Sequence, residues 1–143
     1  MTAIAKIQAL LGGEAVTGPM RTDFDLVRLV RRGVPTSAVD HFLRASHLTF
    51  NEIEGHVLPR RTFKRRQDAD QPLEPGESDR LVRLVRIVAA AEETFGDSGK
   101  ALTWLGRENR ALDGMTPLSL TDTDFGARSV ETLLGRIGHG IAA

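Results

Sequence analysis

The residue types that could build a catalytic centre occur in this chain, but their spacing does not assemble one. Four histidines lie scattered along the sequence, and no two have the four-residue spacing of a helical zinc site; they are His41, His47, His56 and His139. Residues 96–100 (Gly-Asp-Ser-Gly-Lys) are too few for a phosphate-binding loop and follow a predicted helix instead of a strand. Because no base, nucleophile and orienting partner come together, we predict that the chain is not an enzyme and has no catalytic residue, metal or cofactor.

The densest cluster of charge is a basic segment over residues 60–66, Arg-Arg-Thr-Phe-Lys-Arg-Arg. On a helix that begins at residue 60, the side chains of Arg61, Lys64 and Arg65 share one face, because they lie three and four residues apart. Guanidinium groups bind guanine edges and phosphates, and a threonine hydroxyl can bind either. The predicted DNA contacts are Arg60, Arg61, Thr62, Lys64, Arg65 and Arg66. A solvated helix whose cations only complement the helix dipole is the alternative.

Two short helices must position this basic segment. Thr49 and Glu52 have the spacing of a capping box, which predicts that a helix begins at Phe50. Pro59 then interrupts that helix and suits the start of a second one over residues 60–67. Two short helices joined by a tight turn, the second of them basic, indicate a helix-turn-helix unit.

The rest of the chain also shows helical periodicity. Residues 67–77 contain two prolines and a glycine and indicate a linker, after which Ser78 is the predicted cap of a long helix that ends at Phe95. No run of alternating β-branched and aromatic residues predicts a strand. We therefore predict an all-α chain, with a helix-turn-helix DNA-binding domain over residues 1–70 and a small helical bundle over residues 71–143.

Composition restricts the environment and the partners. The 19 basic residues balance the 19 acidic ones, so the basic segment is a local patch on a chain without net charge. The absence of cysteine excludes disulfides, thiol catalysis and Cys-ligated zinc. The longest nearly apolar run, residues 87–91, is too short to span a bilayer, and the first residues show no export signal. We therefore expect a soluble cytoplasmic protein that does not contact a membrane.

Ordered sequence blocks in the second half resemble a known family. They are Glu77-Ser-Asp-Arg-Leu81, Phe95-Gly-Asp97, Trp104-Leu105, Asn109-x-Ala-Leu-x-Gly-x-Thr-Pro-Leu118 and Gly135-Arg-Ile-x-His-Gly140. In this order the blocks resemble the toxin-binding domain of the Xre/MbcA/ParS antitoxins, which are partners of RES-domain toxins. The resemblance covers residues 59–140, includes the basic segment as the family's recognition helix, and implies an Xre/Cro-like fold for the helix-turn-helix.

The resemblance also implies which residues meet a toxin. They are Trp104, Asn109, Leu112, Gly114, Thr116, Pro117, Arg136, Ile137, His139 and Gly140. A place in the bundle core is the alternative for the tryptophan, and a structural role in a turn is the alternative for residues 109–117. Because Gly138 and its neighbouring glycine weaken the last helical turn, we expect residues 137–143 to leave the bundle and enter a concave toxin surface. A frayed terminus without contacts is the alternative.

The function that the resemblance implies is that of an antitoxin in a type II toxin–antitoxin system. Such a protein would neutralise a RES-domain toxin that degrades NAD, by blocking the toxin's active site, and would bind operator DNA to repress its own operon. It would form a heteromeric complex with the toxin, and one short recognition helix predicts a homodimer or higher assembly on DNA. The alternative is a stand-alone helix-turn-helix regulator whose C-terminal bundle only dimerises.

Overall fold

The computed structural model describes residues 1–140 and contains, within that range, nine α-helices, two short 3-10 helices and no strand. The α-helices are α1 (Ala3–Leu10), α2 (Glu14–Thr17), α3 (Asp23–Arg32), α4 (Thr36–Ser46), α5 (Phe50–Glu54), α6 (Arg60–Asp68), α7 (Pro75–Phe95), α8 (Ser98–Leu105) and α9 (Asp124–Gly138). The 3-10 helices cover Arg110–Leu112 and Leu118–Asp122. The prediction of an all-α fold is confirmed.

The predicted helix-turn-helix corresponds to α5 and α6. The capping box is present, since the Thr49 hydroxyl accepts from the Glu52 backbone N–H at 3.3 Å and the Glu52 carboxylate accepts from the Thr49 N–H at 3.0 Å. The aromatic ring of Phe63 is buried and packs against the ring of Phe50, with 5.2 Å between the centroids. This aromatic contact fixes α6 on α5 and turns the polar side of α6 outward.

The long helix α7 begins earlier than the sequence predicted. Glu74, and not Ser78, is its N-cap, and Pro75 is its first residue, where a fixed φ suits the helix and the missing N–H is not needed. Ser78 is buried instead, and its hydroxyl accepts from the backbone N–H of Val34 at 2.9 Å. The preceding loop is also anchored, because the buried Leu73 donates its backbone N–H to the Val34 carbonyl.

A single hydrophobic core extends from α1 to α9, and α7 lies in its centre. Helix α7 packs against α1 and α3 of the first part of the chain and against α8 and α9 of the second. The α7 residues that enter this core are Leu81, Val82, Leu84, Val85, Ile87, Val88, Ala89 and Ala91. The two parts of the chain are therefore joined by one shared helix. In residues 1–140, no helix is both long and apolar enough to cross a membrane.

Candidate macromolecule-binding surfaces

The first candidate surface is the cationic face of α6. Arg61, Lys64 and Arg65 are all exposed and border one shallow depression on this helix. The Lys64 ammonium lies 3.2 Å from the Asp68 carboxylate, whereas neither arginine has a carboxylate partner within residues 1–140. Two unpaired guanidinium groups on an exposed helical face are well suited to phosphates and base edges.

Arg60 lies at the edge of this face and is held in place by α5. Its guanidinium sits over the ring of Phe50, 4.6 Å from the centroid, and donates to the Asn51 side-chain oxygen at 2.6 Å. Its backbone N–H donates to the Glu54 carboxylate. Thr62 is half-buried on the side of α6 that faces the protein. The structure therefore presents Arg60 in a fixed orientation and gives Thr62 less access to a partner.

Arg66 does not belong to the exposed face. Its guanidinium is 13% exposed and donates two hydrogen bonds to the Glu77 carboxylate, at 2.9 and 3.1 Å, with Glu74 at 3.6 Å. The hydrogen bond to Glu77 raises the pKa of Arg66 above its usual value. The prediction that Arg66 contacts DNA conflicts with this ion pair, which ties α6 to the first turn of α7.

The second set of predicted residues begins with Trp104 on α8. Its ring is half-buried and packs against Phe95, with 5.5 Å between the centroids. Leu112 and Pro117 are buried. These three side chains therefore pack within the bundle, as expected from the core alternative for Trp104 and from the structural alternative for residues 109–117.

The remaining turn residues close the loop between α8 and α9. The Asn109 side chain accepts from the Ala111 N–H at 3.0 Å, and the Asn109 carbonyl accepts from the Gly114 N–H at 2.9 Å. Gly114 has a φ of +79°, which glycine adopts without strain. The Thr116 hydroxyl accepts from the Ser119 N–H at 3.2 Å and starts the next 3-10 helix. Asn109, Gly114 and Thr116 thus shape the loop by hydrogen bonds within it.

The C-terminal residues remain on α9 for longer than predicted. Helix α9 continues through Gly138, and Ile137 is half-buried against the core. Arg136 is exposed, and the exposed His139 places its Nδ1 2.6 Å from the Gly135 carbonyl oxygen. Gly140 is exposed with a φ of +75°. We expected residues 137–143 to leave the bundle, but residues 137 and 138 remain on α9. Residues 141–143, which the same prediction includes, lie outside the part of the chain that the structure describes.

Sequence reasoning missed two exposed aromatic residues, Phe125 on α9 and Phe24 on α3, which is 69% exposed. Phe125, in the first turn of α9, is 79% exposed, and its ring is covered on one side only by the Arg128 guanidinium at 5.6 Å. The signal was available, because helical spacing places Phe125 opposite the buried stripe of Val130, Leu133 and Leu134. Single exposed apolar residues are common on protein surfaces, so the side chains around Phe125 decide whether it belongs to a binding surface.

Residues 1–140 contain no group of three or more histidine, aspartate or glutamate side chains placed to hold a metal ion. Two exposed surfaces in this part of the chain are candidates for binding a macromolecule, the cationic face of α6 and the outer side of α9.

Comparison with known proteins gives both surfaces a context. Residues 25–86 match the family model described as the antitoxin Xre-like helix-turn-helix domain, and residues 90–140 match the antitoxin Xre/MbcA/ParS C-terminal toxin-binding domain. A protein named antitoxin Xre from Pseudomonas putida is 35% identical over 136 residues, which are 95% of this chain and 82% of that protein. Another antitoxin Xre, from Yersinia enterocolitica, is 36% identical over 118 residues, or 81% and 80% of the two chains. A Sphingobium protein named Prs ADP-ribosylating antitoxin is 26% identical over 129 residues, or 83% and 81%.

Proposed function

Because the chain belongs to the Xre family of antitoxins, it is the antitoxin of a toxin–antitoxin system, and we propose that it neutralises a RES-domain toxin that degrades NAD. The resemblance drawn from the sequence blocks is confirmed by these matches. The toxin-binding domain implies a toxin partner, and the helix-turn-helix implies DNA binding. The proposal adds that the chain acts without catalysis of its own, by obstructing the entrance to the toxin's NAD pocket.

The observation that carries this proposal is the exposed end of α9 within the matched toxin-binding region. Arg136 projects from the last turn as a cation with five donors, which suits carboxylates and carbonyl oxygens around a nucleotide pocket. His139 and Gly140 follow it and are also exposed. The Sphingobium relative's name couples an antitoxin with ADP-ribosylation, a reaction that uses NAD as the donor, and the proposal places the NAD chemistry on the toxin.

We further propose that the chain represses its own operon through the α6 face. Arg61, Lys64 and Arg65 would contact operator DNA, and Arg60 would contact the adjacent backbone from its fixed position on Phe50. One short recognition helix reads few base pairs, so we expect at least two copies of the chain on the operator. Both proposed partners would be met in the cytoplasm. A stand-alone regulator that only dimerises would not require the toxin-binding region that residues 90–140 match.

The test is co-expression with the RES-domain protein encoded beside this chain. The full chain should restore growth, whereas truncation after Gly138 combined with Arg136→Gln should abolish rescue, because the obstructing end is lost while Ile137 keeps its packing. Arg31→Gln, at an exposed arginine of α3 outside the toxin-binding region, is the matched control and should rescue fully. Full rescue by the truncated variant would show that the end of α9 does not obstruct the toxin.

A further inference from the structure

The outer side of α9 carries a continuous exposed stripe that the fold does not need. Phe125, Arg128, Ser129, Thr132 and Arg136 recur at intervals of three or four residues and all are exposed. Burial of a phenylalanine side chain is strongly favourable, yet Phe125 is 79% exposed, with the Arg128 guanidinium 5.6 Å from its ring centroid. Aromatic residues and arginines are enriched in protein interfaces, so this exposed pair suits a surface that a partner covers.

This stripe forms one wall of a groove. The opposite wall is the first 3-10 helix, and the groove between them has a volume of about 330 Å³. Ala111, Leu112 and Leu133 make its lining apolar, while Arg128 and Arg136 stand along it. No carboxylate is among the residues that line it. The groove therefore suits an apolar side chain that is accompanied by negative charge.

The two walls of the groove are held by the fold before any partner arrives. Gly126 lies so close to the Leu120 carbonyl oxygen that any added Cβ would overlap it, and this contact fixes the start of α9. The Thr123 hydroxyl caps the same turn by accepting from the Gly126 N–H at 3.0 Å. The loop on the other wall is closed by the hydrogen bonds of Asn109. A preorganised groove loses little conformational entropy on binding.

We propose that this groove is the main docking surface for the toxin, and that the toxin fills it with an apolar or aromatic side chain flanked by carboxylates. This inference rests on the proposed function and separates two roles that the proposal had placed together. The groove, through Phe125 and Arg128, supplies affinity. The end of α9 beyond Arg136 supplies inhibition.

Two observations favour the toxin over other occupants. The whole groove lies within residues 90–140, the region that matches a toxin-binding domain. A second copy of this chain would fit poorly, because a two-fold contact would bring the arginines of one stripe against those of the other. Arg128 is paired with Asp124, so a carboxylate of the partner would share that arginine, whereas Arg136 has no carboxylate partner within residues 1–140. The positive charges of Arg128 and Arg136 therefore favour a partner surface that carries carboxylates.

The experiment measures the affinity of full-length variants for the purified RES-domain protein encoded beside this chain. Phe125→Ala should raise the Kd by roughly 30-fold, the effect typical of a buried aromatic anchor, and Arg128→Glu should raise it further than Arg128→Gln. Phe24→Ala removes another exposed phenylalanine, 69% exposed on α3, and should change the Kd by less than about 3-fold. Thermal unfolding of each variant checks that the fold is retained.

Inhibition is measured in parallel with affinity. Phe125→Ala at saturating concentration should still block NAD consumption, since the end of α9 is intact. A Kd for Phe125→Ala within about 3-fold of that of the parent chain would overturn the docking surface while leaving the proposed function standing. So would loss of self-association by this variant with unchanged toxin affinity, since the groove would then hold a second copy. If the parent chain itself neither binds nor inhibits the toxin, the proposed function fails and this inference fails with it.

Discussion

The two outward surfaces of this protein differ in how they are built. The α6 face consists of flexible cations above a buried aromatic contact, and its one aromatic residue, Phe63, points inward. The α9 stripe has the opposite arrangement, because its aromatic residue, Phe125, is exposed and lies beside one cation, Arg128. The first surface suits a uniformly charged polymer, whereas the second suits a shaped protein partner with apolar and acidic groups.

Charge and exposed apolar area are different kinds of evidence about a partner. A run of cations can be recognised in the sequence, but only the structure shows which of them are engaged within the molecule. Of the two arginines 65 and 66, the first is free for a ligand and the second is paired with Glu77. The following predictions test whether the two surfaces are independent.

The largest effect is expected from a change that disturbs the α9 surface through the backbone. Gly126→Ala should lower the free energy of unfolding by about 3 kcal/mol, because its methyl group would overlap the Leu120 carbonyl oxygen. Gly135→Ala is the matched control: it lies on the same helix with open space around it and should stabilise the protein by about 0.5–1 kcal/mol. Denaturant unfolding of both variants measures the difference, and equal stabilities would show that the contact at Gly126 does not constrain α9.

The next effect is on DNA binding alone. Replacing Arg61 and Arg65 together with alanine should weaken operator binding by roughly 30-fold and reduce the slope of log K against log salt concentration by about 2, since two phosphate or base contacts are lost. Toxin affinity should not change. Arg21→Ala serves as the control for the loss of an exposed arginine outside the matched helix-turn-helix region. Titrations at several salt concentrations give both quantities, and an unchanged slope would remove these side chains from the DNA interface.

A smaller effect is expected at Arg66, and of a different kind. Arg66→Gln should lower the free energy of unfolding by about 1–2 kcal/mol, because it breaks a largely buried ion pair and leaves Glu77 without its partner. The salt slope of DNA binding should stay at the parent value. Unfolding curves and salt titrations on one sample measure the two together. A decrease of the slope by about 1 would show that Arg66 leaves Glu77 to bind DNA.

The smallest effect belongs to a residue outside both surfaces. Hydrogen bonds from the backbone N–H groups of Arg21 and Thr22, with the Arg28 charge, lower the pKa of Asp25 below its usual value. Its contribution to stability is therefore present above the unfolded-state pKa and is lost as the pH falls through the lower folded-state pKa. Asp25→Asn should slightly lower the Tm at pH 7, and the difference should shrink as the pH falls below the usual aspartate pKa of about 3.9. A difference that persists unchanged at low pH would contradict this cause.

Local sequence signals predicted the fold where the determining contacts are themselves local. The capping box of Thr49 and Glu52 placed the start of α5 correctly, because both partners lie within one turn. The start of α7 was misplaced, since Ser78 looks like a cap but is needed by Val34, 44 residues away along the chain. Nothing in the sequence around Arg66 signals its ion pair, because Glu77 approaches only after α6 and α7 pack together.

The candidate surfaces, like the fold, could be predicted only where spacing along one helix determines them. The α6 face could be predicted from the spacing of Arg61, Lys64 and Arg65, which an isolated helix already fixes. Residues predicted to face a toxin could not be separated from structural ones by motif alone, because residues 109–117 shape a loop by hydrogen bonding to each other. Phe125 could have been found by asking which apolar residue of α9 lies off its buried stripe.

The central claim is that this chain neutralises its toxin by occupying the entrance to an NAD pocket. The most direct measurement is NAD consumption by the purified RES-domain partner, titrated with the full chain at several NAD concentrations. The account predicts that turnover falls to background when the chain saturates the toxin, and that higher NAD concentrations weaken the inhibition because both compete for one entrance. Undiminished NAD turnover in a complex whose formation is verified by mass would contradict it.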